Sequence, residues 1–501
     1  MVKQKVTVHF TREGREAVVD LGTTILAAEI SAGLVPDAPC GGQGKCGKCR
    51  VKLDGREVLA CQAKAEGDCT VETLVSEEKN AKILNEGLFR KVPCQPGELP
   101  KDVSRPMLAA VDLGSTSVVA YLMDAQTGEE MGVKSILNPQ RQFGADVVMR
   151  SSYALEHGAE SLSGCIRQAI DKLLHVLAEG LGRNSRDIVR IVMVGNTCMH
   201  HLFLELPVDN LVRAPYMPSV TEAVVRKASD CGIFVHPEAE LCWLPNIGGF
   251  VGADTTACML AAEFDKRQEL TLLVDIGTNG EMALGNRDGY TVCSTAAGPA
   301  FEGAKISCGM RGSSGAIDHV WIKNGKPEFH VIGEGAPAGL CGSGLLDAAA
   351  CLLELGVIDE TGYMKEPYSF SDRVSLTQKD IRELQLAKAA IAAGIQLLCR
   401  KRGVKIDEIR TLLLAGAFGN YLDPTSACAI GLLPPALKDR ILPVGNAAGV
   451  GARLAALSLP EFKRSQSLAA RANFLELANE PDFMDVYVDE MSFAKEDFYG
   501  I

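Results

Sequence analysis

Strict alternation of apolar and polar positions opens the chain. KVTVHF (5–10) has the period of a strand, and AVVDL (17–21) resumes it after a turn at REGRE. TTILAAEISAGL (23–34) changes to helical spacing and ends at Gly33, a residue suited to a helix C-cap. CRVKL (49–53), VLACQA (58–63) and CTVETLV (69–75) read as short strands. Beyond Val75 the periodicity stops. The polar stretch from Ser76 to Pro106 predicts a linker, drawn over 78–106, on which a small N-terminal domain (1–77) swings.

Longer apolar runs follow. MLAAVDLGSTSVVAYLMDAQTGE (107–129) is a strand, a tight turn, a second strand and another turn. TLLVDIGTNGEMALGNRDG (271–289) is the same unit again, about 160 residues on. GADTTACMLAAEF (252–264) is a helix, and LTQKDIRELQLAKAAIAAGIQLLCRKRG (376–403) is a long one with a capping box at Thr377 and Asp380. Lys388 on that helix is a weak candidate to reach a ligand. TLLLAGAFGNYLD (411–423) is an apolar strand with a glycine-rich end, and 443–457 reads as a helix.

The chain has 501 residues, 47% hydrophobic and 23% charged, enough for two to four globular units. Its net charge of -12 argues against nucleic acid as a partner. No run reaches membrane-span length, and the first residues lack the features of a signal peptide, so a cytoplasmic protein is expected. A homodimer is left open. Seventeen cysteines suit a reducing, anaerobic cell, and most read as small buried apolar residues.

The exceptions lie in APCGGQGKCGKC. Cys40, Cys46 and Cys49 are separated by five and then two residues, and Cys61 follows after eleven more. One long loop with three thiols and a fourth from a later strand is the arrangement of a [2Fe–2S] centre, although the plant type has four residues in the first gap. Zinc is the alternative, but it usually takes two CxxC knuckles. Cys69 competes with Cys61 as fourth ligand. Gly42, Gly44 and Gly47 spell GxGxxG, but inside the thiol loop rather than between strand and helix, so no dinucleotide site is read there.

The repeated unit carries the second chemistry. Asp112 ends a strand before Gly114, Ser115 and Thr116; Asp275 ends another before Gly277, Thr278 and Asn279. Such a turn offers N–H groups and a hydroxyl to a phosphate, while the Asp holds Mg²⁺ through water. No P-loop signature is present.

These turns resemble the phosphate hairpins of the ATPase superfamily of actin, sugar kinases and heat-shock chaperones. The resemblance implies two α/β lobes (107–270 and 271–440, within an ATPase domain of 107–460) facing a nucleotide. Gly416, Ala417, Phe418 and Gly419 would pack on adenosine, Gly298 and Gly303 would line the nucleotide, and 443–457 would be a connecting helix at the lobe interface. Asp254, or else Glu302, would orient the attacking water; capping of its own helix is the plainer role for Asp254. Residues 461–501 form an extension with no readable pattern.

Over most of residues 1–455 the chain resembles the reductive activators of corrinoid-dependent methyltransferases. The matching stretches include FGADVVMR, VGNTCMHH, LPNIGGFVGADTTA, AGPAFEGAKISCGMR and CGSGLLD. The resemblance implies a β-grasp ferredoxin domain with a [2Fe–2S] cluster, an ATPase using ATP and Mg²⁺, a corrinoid protein as partner and a low-potential electron donor. The reaction it implies is ATP-dependent reduction of Co(II) to Co(I). Two other readings are an activator of the 2-hydroxyacyl-CoA dehydratase type, through Cys308 and Cys341, and a redox-sensing nucleotide switch. Adjacent His200 and His201 point to different faces and read as packing rather than as a metal pair.

Overall fold

The computed structural model describes residues 4–34, 36, 38, 42, 44, 49–73, 88, 90–214, 216–333, 335–416, 418–419 and 421–493. Cys40, Cys46 and Ala417 lie outside them.

Near the start, β1 (Lys5–Phe10) and β2 (Arg15–Asp20) form a hairpin followed by α1 (Ile25–Ser31). The Thr24 side chain caps α1, and Gly33 follows its end with φ +73°. β3 (Arg50–Leu53), β4 (Arg56–Leu59) and β5 (Cys69–Thr73) complete a sheet of order β2-β1-β5-β3-β4. β5 lies parallel to β1 in its centre, as a β-grasp sheet requires. Inward residues such as Val8, Phe10, Ile25 and Val71 form a separate small core.

The first large lobe starts with a meander of β6 (Met107–Leu113), β7 (Ser117–Asp124) and β8 (Glu130–Leu137). Then come α2 (Val147–His157), α3 (Glu160–Gly180), β9 (Ile188–Gly195), α4 (Thr197–Leu204), β10 (Val224–Lys227), β11 (Glu240–Trp243) and α5 (Ala253–Ala261). The sheet order is β10-β11-β9-β6-β7-β8, with β9 parallel to β6. β6 and β9 are buried on both faces, which explains their unbroken apolar sequence.

The second lobe repeats the plan. Its meander is β12 (Thr271–Ile276), β13 (Gly280–Asn286) and β14 (Gly289–Thr295). A side sheet of β15 (Ala316–Lys323), β16 (Lys326–Val331) and β17 (Gly339–Leu340) leads to α6 (Gly342–Glu354). The short pair β18 (Tyr368–Ser369) and β19 (Ser375–Leu376) precedes α7 (Gln378–Arg402), which starts at the expected Thr377–Asp380 capping box. β20 (Thr411–Ala415), α8 (Pro424–Ala429), β21 (Ile441–Gly445) and α9 (Ala447–Leu457) follow. The expected helix over 443–457 therefore begins only at Ala447. Its first residues are the end of a strand parallel to β20, where the β-branched Val444 faces inward.

Beyond α9 the chain stays on the two large lobes. α10 (Leu459–Arg471) packs on α5 and α9. β22 (Ala472–Phe474) joins the second large sheet, of order β21-β20-β12-β13-β14-β22, and α11 (Phe483–Asp489) lies on α7. Lys388 does not reach toward a ligand. It is fully buried, 3.4 Å from Glu490, so it fastens the C-terminal segment to α7. Burial holds Lys388 down to about 8 despite its acidic partner.

α5 and α9 lie between the lobes, and their residues share one core with both large sheets. They approach so closely that a Cβ on Gly451 would stand 2.1 Å from the Ala257 carbonyl oxygen. Part of the stretch read as linker is also fixed. Arg90 pairs with Glu461 and Glu263, Gln95 bridges to Ser458, and Arg190 donates to the Pro96 carbonyl. His200 and His201 are fully buried beside Trp243 and Asn246 and serve packing.

Candidate active site

The two acidic turns, one from each lobe, meet. The Thr116 hydroxyl lies 3.3 Å from the Thr278 hydroxyl. Both bond the Glu302 carboxylate, Thr116 at 2.8 Å to one oxygen and Thr278 to the other. The repeats are not equivalent residue for residue. In the first, the Gly114 N–H closes on Ser117 O at 2.9 Å; in the second, the Gly277 N–H closes on Asn279 O, one residue sooner. The hydroxyl that faces the opposite lobe is therefore the second after glycine in one turn and the first in the other.

Donors surround the first turn from behind. Asn138 Nδ2 donates to Gly114 O at 2.8 Å, its backbone N–H donates to Thr116 O at 2.9 Å, and Arg150 Nη2 donates to Ser115 O at 2.6 Å. Asn196 caps α4 through its Oδ1 and donates Nδ2 to the Ser115 hydroxyl at 2.9 Å. Neither asparagine nor Arg150 was singled out by sequence. Asn196 carries a readable signal, since it stands before a helix with its side chain free to cap.

The aspartates sit at the strand ends that the repeat predicts. Asp112 Oδ2 accepts from Asn446 Nδ2 at 2.9 Å, and Asn446 also caps α9. Asp275 accepts from the Cys258 thiol at 3.4 Å and lies opposite Glu281 across the β12–β13 pair. Asp254 is not the cap of α5: that position is Gly252, and Asp254 stands in the first turn, one helical turn before Cys258 on the same face. Its carboxylate accepts from the Thr255 N–H at 2.7 Å. Burial lifts Asp254 to about 7, with Asp275 and Asp112 adding repulsion. Burial takes Asp112 and Asp275 to about 6, and Glu281 well above the usual carboxylate range. Glu281 is thus a fourth acid that sequence reading missed. Among the described residues no three His, Cys, Asp or Glu side chains form a closed metal cage.

The third motif reaches the same place. Gly416 has φ +94°, and a Cβ there would stand 2.6 Å from Ile276 O and 2.8 Å from Asp275 Oδ1. Only glycine lets this turn lie against the second acidic turn. A Cβ on Gly419 would crowd Ala415 O at 2.7 Å, and Phe418 stacks on Phe301 with centroids 5.1 Å apart. Phe301 belongs to the short turn Pro299–Glu302, flanked by Gly298 and Gly303 at φ +77° and +74°. The glycine-rich strand end and the Glu302 turn are therefore one packed unit.

In the small domain, the Ala60 N–H donates to Cys49 O at 2.7 Å, which puts Cys61 beside Cys49. Loop residue Gly42 passes the same point, since a Cβ on it would lie 3.7 Å from that of Cys61. Gly44 is as close to Gln62, where a Cβ would meet Nε2 at 2.8 Å. Cys69 lies at the other end of β3. The Asp54 N–H donates to Thr70 O there, and the four residues of β3, about 13 Å at 3.3 Å per residue, separate it from Cys49. Cys49, Cys61, Gly42 and Gly44 thus lie together, and Cys69 lies apart from them. Cys308 and Cys341 make separate contacts, to Arg373 O and the Ser343 hydroxyl.

Known proteins match this architecture. Residues 108–267 match the family model for the RACo middle region, and 269–500 match that for the C-terminal domain of RACo, the ASKHA domain. The corrinoid activation enzyme RamQ of Eubacterium limosum is 39% identical, over 77% of this chain and 70% of its own. A [Co(II) methylated amine-specific corrinoid protein] reductase of Methanosarcina barkeri is 27% identical, over 77% and 76%. A solved reductive activator for a corrinoid, iron–sulfur protein superposes with a TM-score of 0.71 at 28% identity, over 97% of this chain and 98% of the other. With a β-grasp sheet before two lobes whose acidic turns meet, the chain belongs to the reductive activators of corrinoid proteins, a family of enzymes.

Proposed function

We propose that this enzyme reduces the Co(II) corrinoid of a methyltransferase's corrinoid protein to Co(I), one electron at a time, and couples that step to ATP hydrolysis. The observation that carries the reading is the meeting of Thr116 and Thr278 on Glu302. A phosphate that takes these hydroxyls touches both lobes at once, so its binding and loss bias how the lobes close. Asp112 and Asp275 would hold hydrated Mg²⁺, which would offset the charge of the phosphates. Asp254, lifted to about 7, is suited to take a proton from the attacking water at neutral pH. Glu302 ties the two turns together until phosphate replaces it. Gly416 to Gly419 bear on adenosine, beside the Gly298–Gly303 turn.

Cys40, Cys46, Cys49 and Cys61 are assigned to a [2Fe–2S] cluster, which supplies the electron when bound. A low-potential donor refills it. ATP is needed because the Co(II)/Co(I) couple is too low in potential for the electron to pass unaided.

The test is a visible spectrum of a Co(II) corrinoid protein mixed with the reduced enzyme, before and after Mg·ATP. A Co(I) band that grows only with ATP supports the reading. Hydrolysis without Co(I), for several corrinoid proteins in turn, replaces it with a nucleotide switch. Cys46→Ser is expected to abolish the cluster spectrum and electron transfer and to leave Mg·ATP hydrolysis in place; an unchanged cluster spectrum removes the ligand assignment.

A further inference from the structure

Arg150 on α2 is fully buried, and every partner it has is neutral. Its Nε donates to Gly144 O at 3.0 Å, Nη2 to Ser115 O at 2.6 Å, and Nη1 points at the Met199 sulfur at 3.3 Å. Among the described residues no carboxylate stands within ion-pair distance of it. Asp146, the nearest acid in sequence, uses its side chain to cap α2 by accepting from the Met149 N–H at 2.8 Å. Arg141 is close enough to repel it, and Asp146 attracts it without reaching it as an ion pair. Taking a guanidinium out of water with no paired counter-charge is costly, and a fold keeps such a charge where something else completes it.

The direction of its bonds says what completes it. The carbonyls of Gly114, Ser115 and Thr116 are all held, by Asn138, Arg150 and Asn138 again. In a planar trans peptide the next N–H points the opposite way. The N–H groups of Ser115, Thr116 and Ser117 therefore point away from these donors and form a small anion-binding nest. Arg150 stands directly behind it.

We propose that Arg150 is a positioning residue for the polyphosphate of the nucleotide: it fixes the first turn through the Ser115 carbonyl and supplies the positive charge that a phosphate in that turn neutralises. The inference rests on the nucleotide reading above and deepens it by assigning the phosphate's counter-charge to a residue that does not touch the ligand. It follows that Arg150 acts on phosphates and not on adenosine.

The experiment is calorimetric titration of the full chain and its R150K and R150M variants with Mg·ATP, Mg·ADP and adenosine, with melting temperature and steady-state hydrolysis alongside. R150M is expected to weaken Mg·ATP and Mg·ADP by about thirtyfold, as loss of a charge-assisted contact implies, and to leave adenosine within about twofold. R150K keeps the charge without the forked geometry and is expected to fall between, with KM raised and kcat changed less than about threefold. If R150M does not fold, R150K decides by the same measures. Unchanged Mg·ATP affinity in a folded variant overturns the proposal. So does a loss of adenosine affinity in step with ATP, which marks a purely structural role. Wild-type protein that binds no Mg·ATP at all overturns the nucleotide reading and this inference together.

Discussion

The first acidic turn is gripped at each of its carbonyls, while the second stands almost bare. Asn138, Arg150 and Asn196 hold Gly114, Ser115 and Thr116 from one side. Among the described residues no side chain donates to the carbonyl of Gly277 or Thr278, and Gly277 is exposed. The second turn keeps its shape by being one residue shorter and by leaning on Gly416 and Glu302. The same short pattern thus yields a preorganised cradle in one lobe and an adaptable arm in the other. Preorganisation lowers the cost of ordering on binding; adaptability lets one lobe report what the other has bound.

The largest test of this difference is Asp275→Ala. It removes the acid of the bare turn, and Mg·ATP hydrolysis is expected to fall by about a thousandfold, the scale seen when a charge-stabilising group is lost. Phosphate release measures it, with the cluster spectrum as control; undiminished turnover removes the argument for the second turn. A paired comparison comes next. Asn138→Ala frees a buried carbonyl of the gripped turn and is expected to cost about 1–3 kcal/mol of stability. Thr278→Ala, in the bare turn, is expected to change stability by less than about 0.5 kcal/mol while slowing hydrolysis. Chemical denaturation of both variants separates the turns, and equal losses would erase the distinction.

The smallest expected effect is a pH dependence. Asp112, Asp254 and Asp275 stand at about 6, 7 and 6 in the fold, above the ordinary carboxylate value. The folded protein therefore binds more protons than the unfolded chain between about pH 4 and 7, and stability falls as pH rises through that window. Melting of nucleotide-free protein is expected at lower temperature at pH 7.5 than at pH 5.5. Asp254→Asn should flatten the slope, and Mg·ATP should reduce it by favouring the charged forms. A slope of opposite sign contradicts the crowding of acids between the turns.

Much of this was legible in sequence because it rests on short-range rules. The period change at Thr23, the capping box at Thr377 and the repeat at Asp112 and Asp275 each report local geometry. The supports of the first turn were not legible. Asn138, Arg150 and Asn196 lie 24, 35 and 81 residues from their partners in the turn, and only folding brings them there. Glu281 was missed because alternation along β13 marks it as facing one side without saying that Asp254 waits there. The C-terminal segment does hold a helical period, in α10 with Phe462, Ser465 and Leu468 turned inward, which the sequence reading missed, while the residues after it answer to α7 and β14. The structure places 459–493 against the two large lobes, with Glu490 on Lys388 and β22 on β14.

That last arrangement bears on how the chain is made. β14 keeps an open edge until Ala472–Phe474 are made, and Lys388 lacks its partner until Glu490 is. An exposed sheet edge invites pairing with another chain, and a partly built domain is prone to such errors. The second lobe therefore closes only after Glu490 has been made. A message cut short before Ala472 yields a protein with both acidic turns encoded and neither its sheet edge covered by β22 nor its buried lysine answered by Glu490.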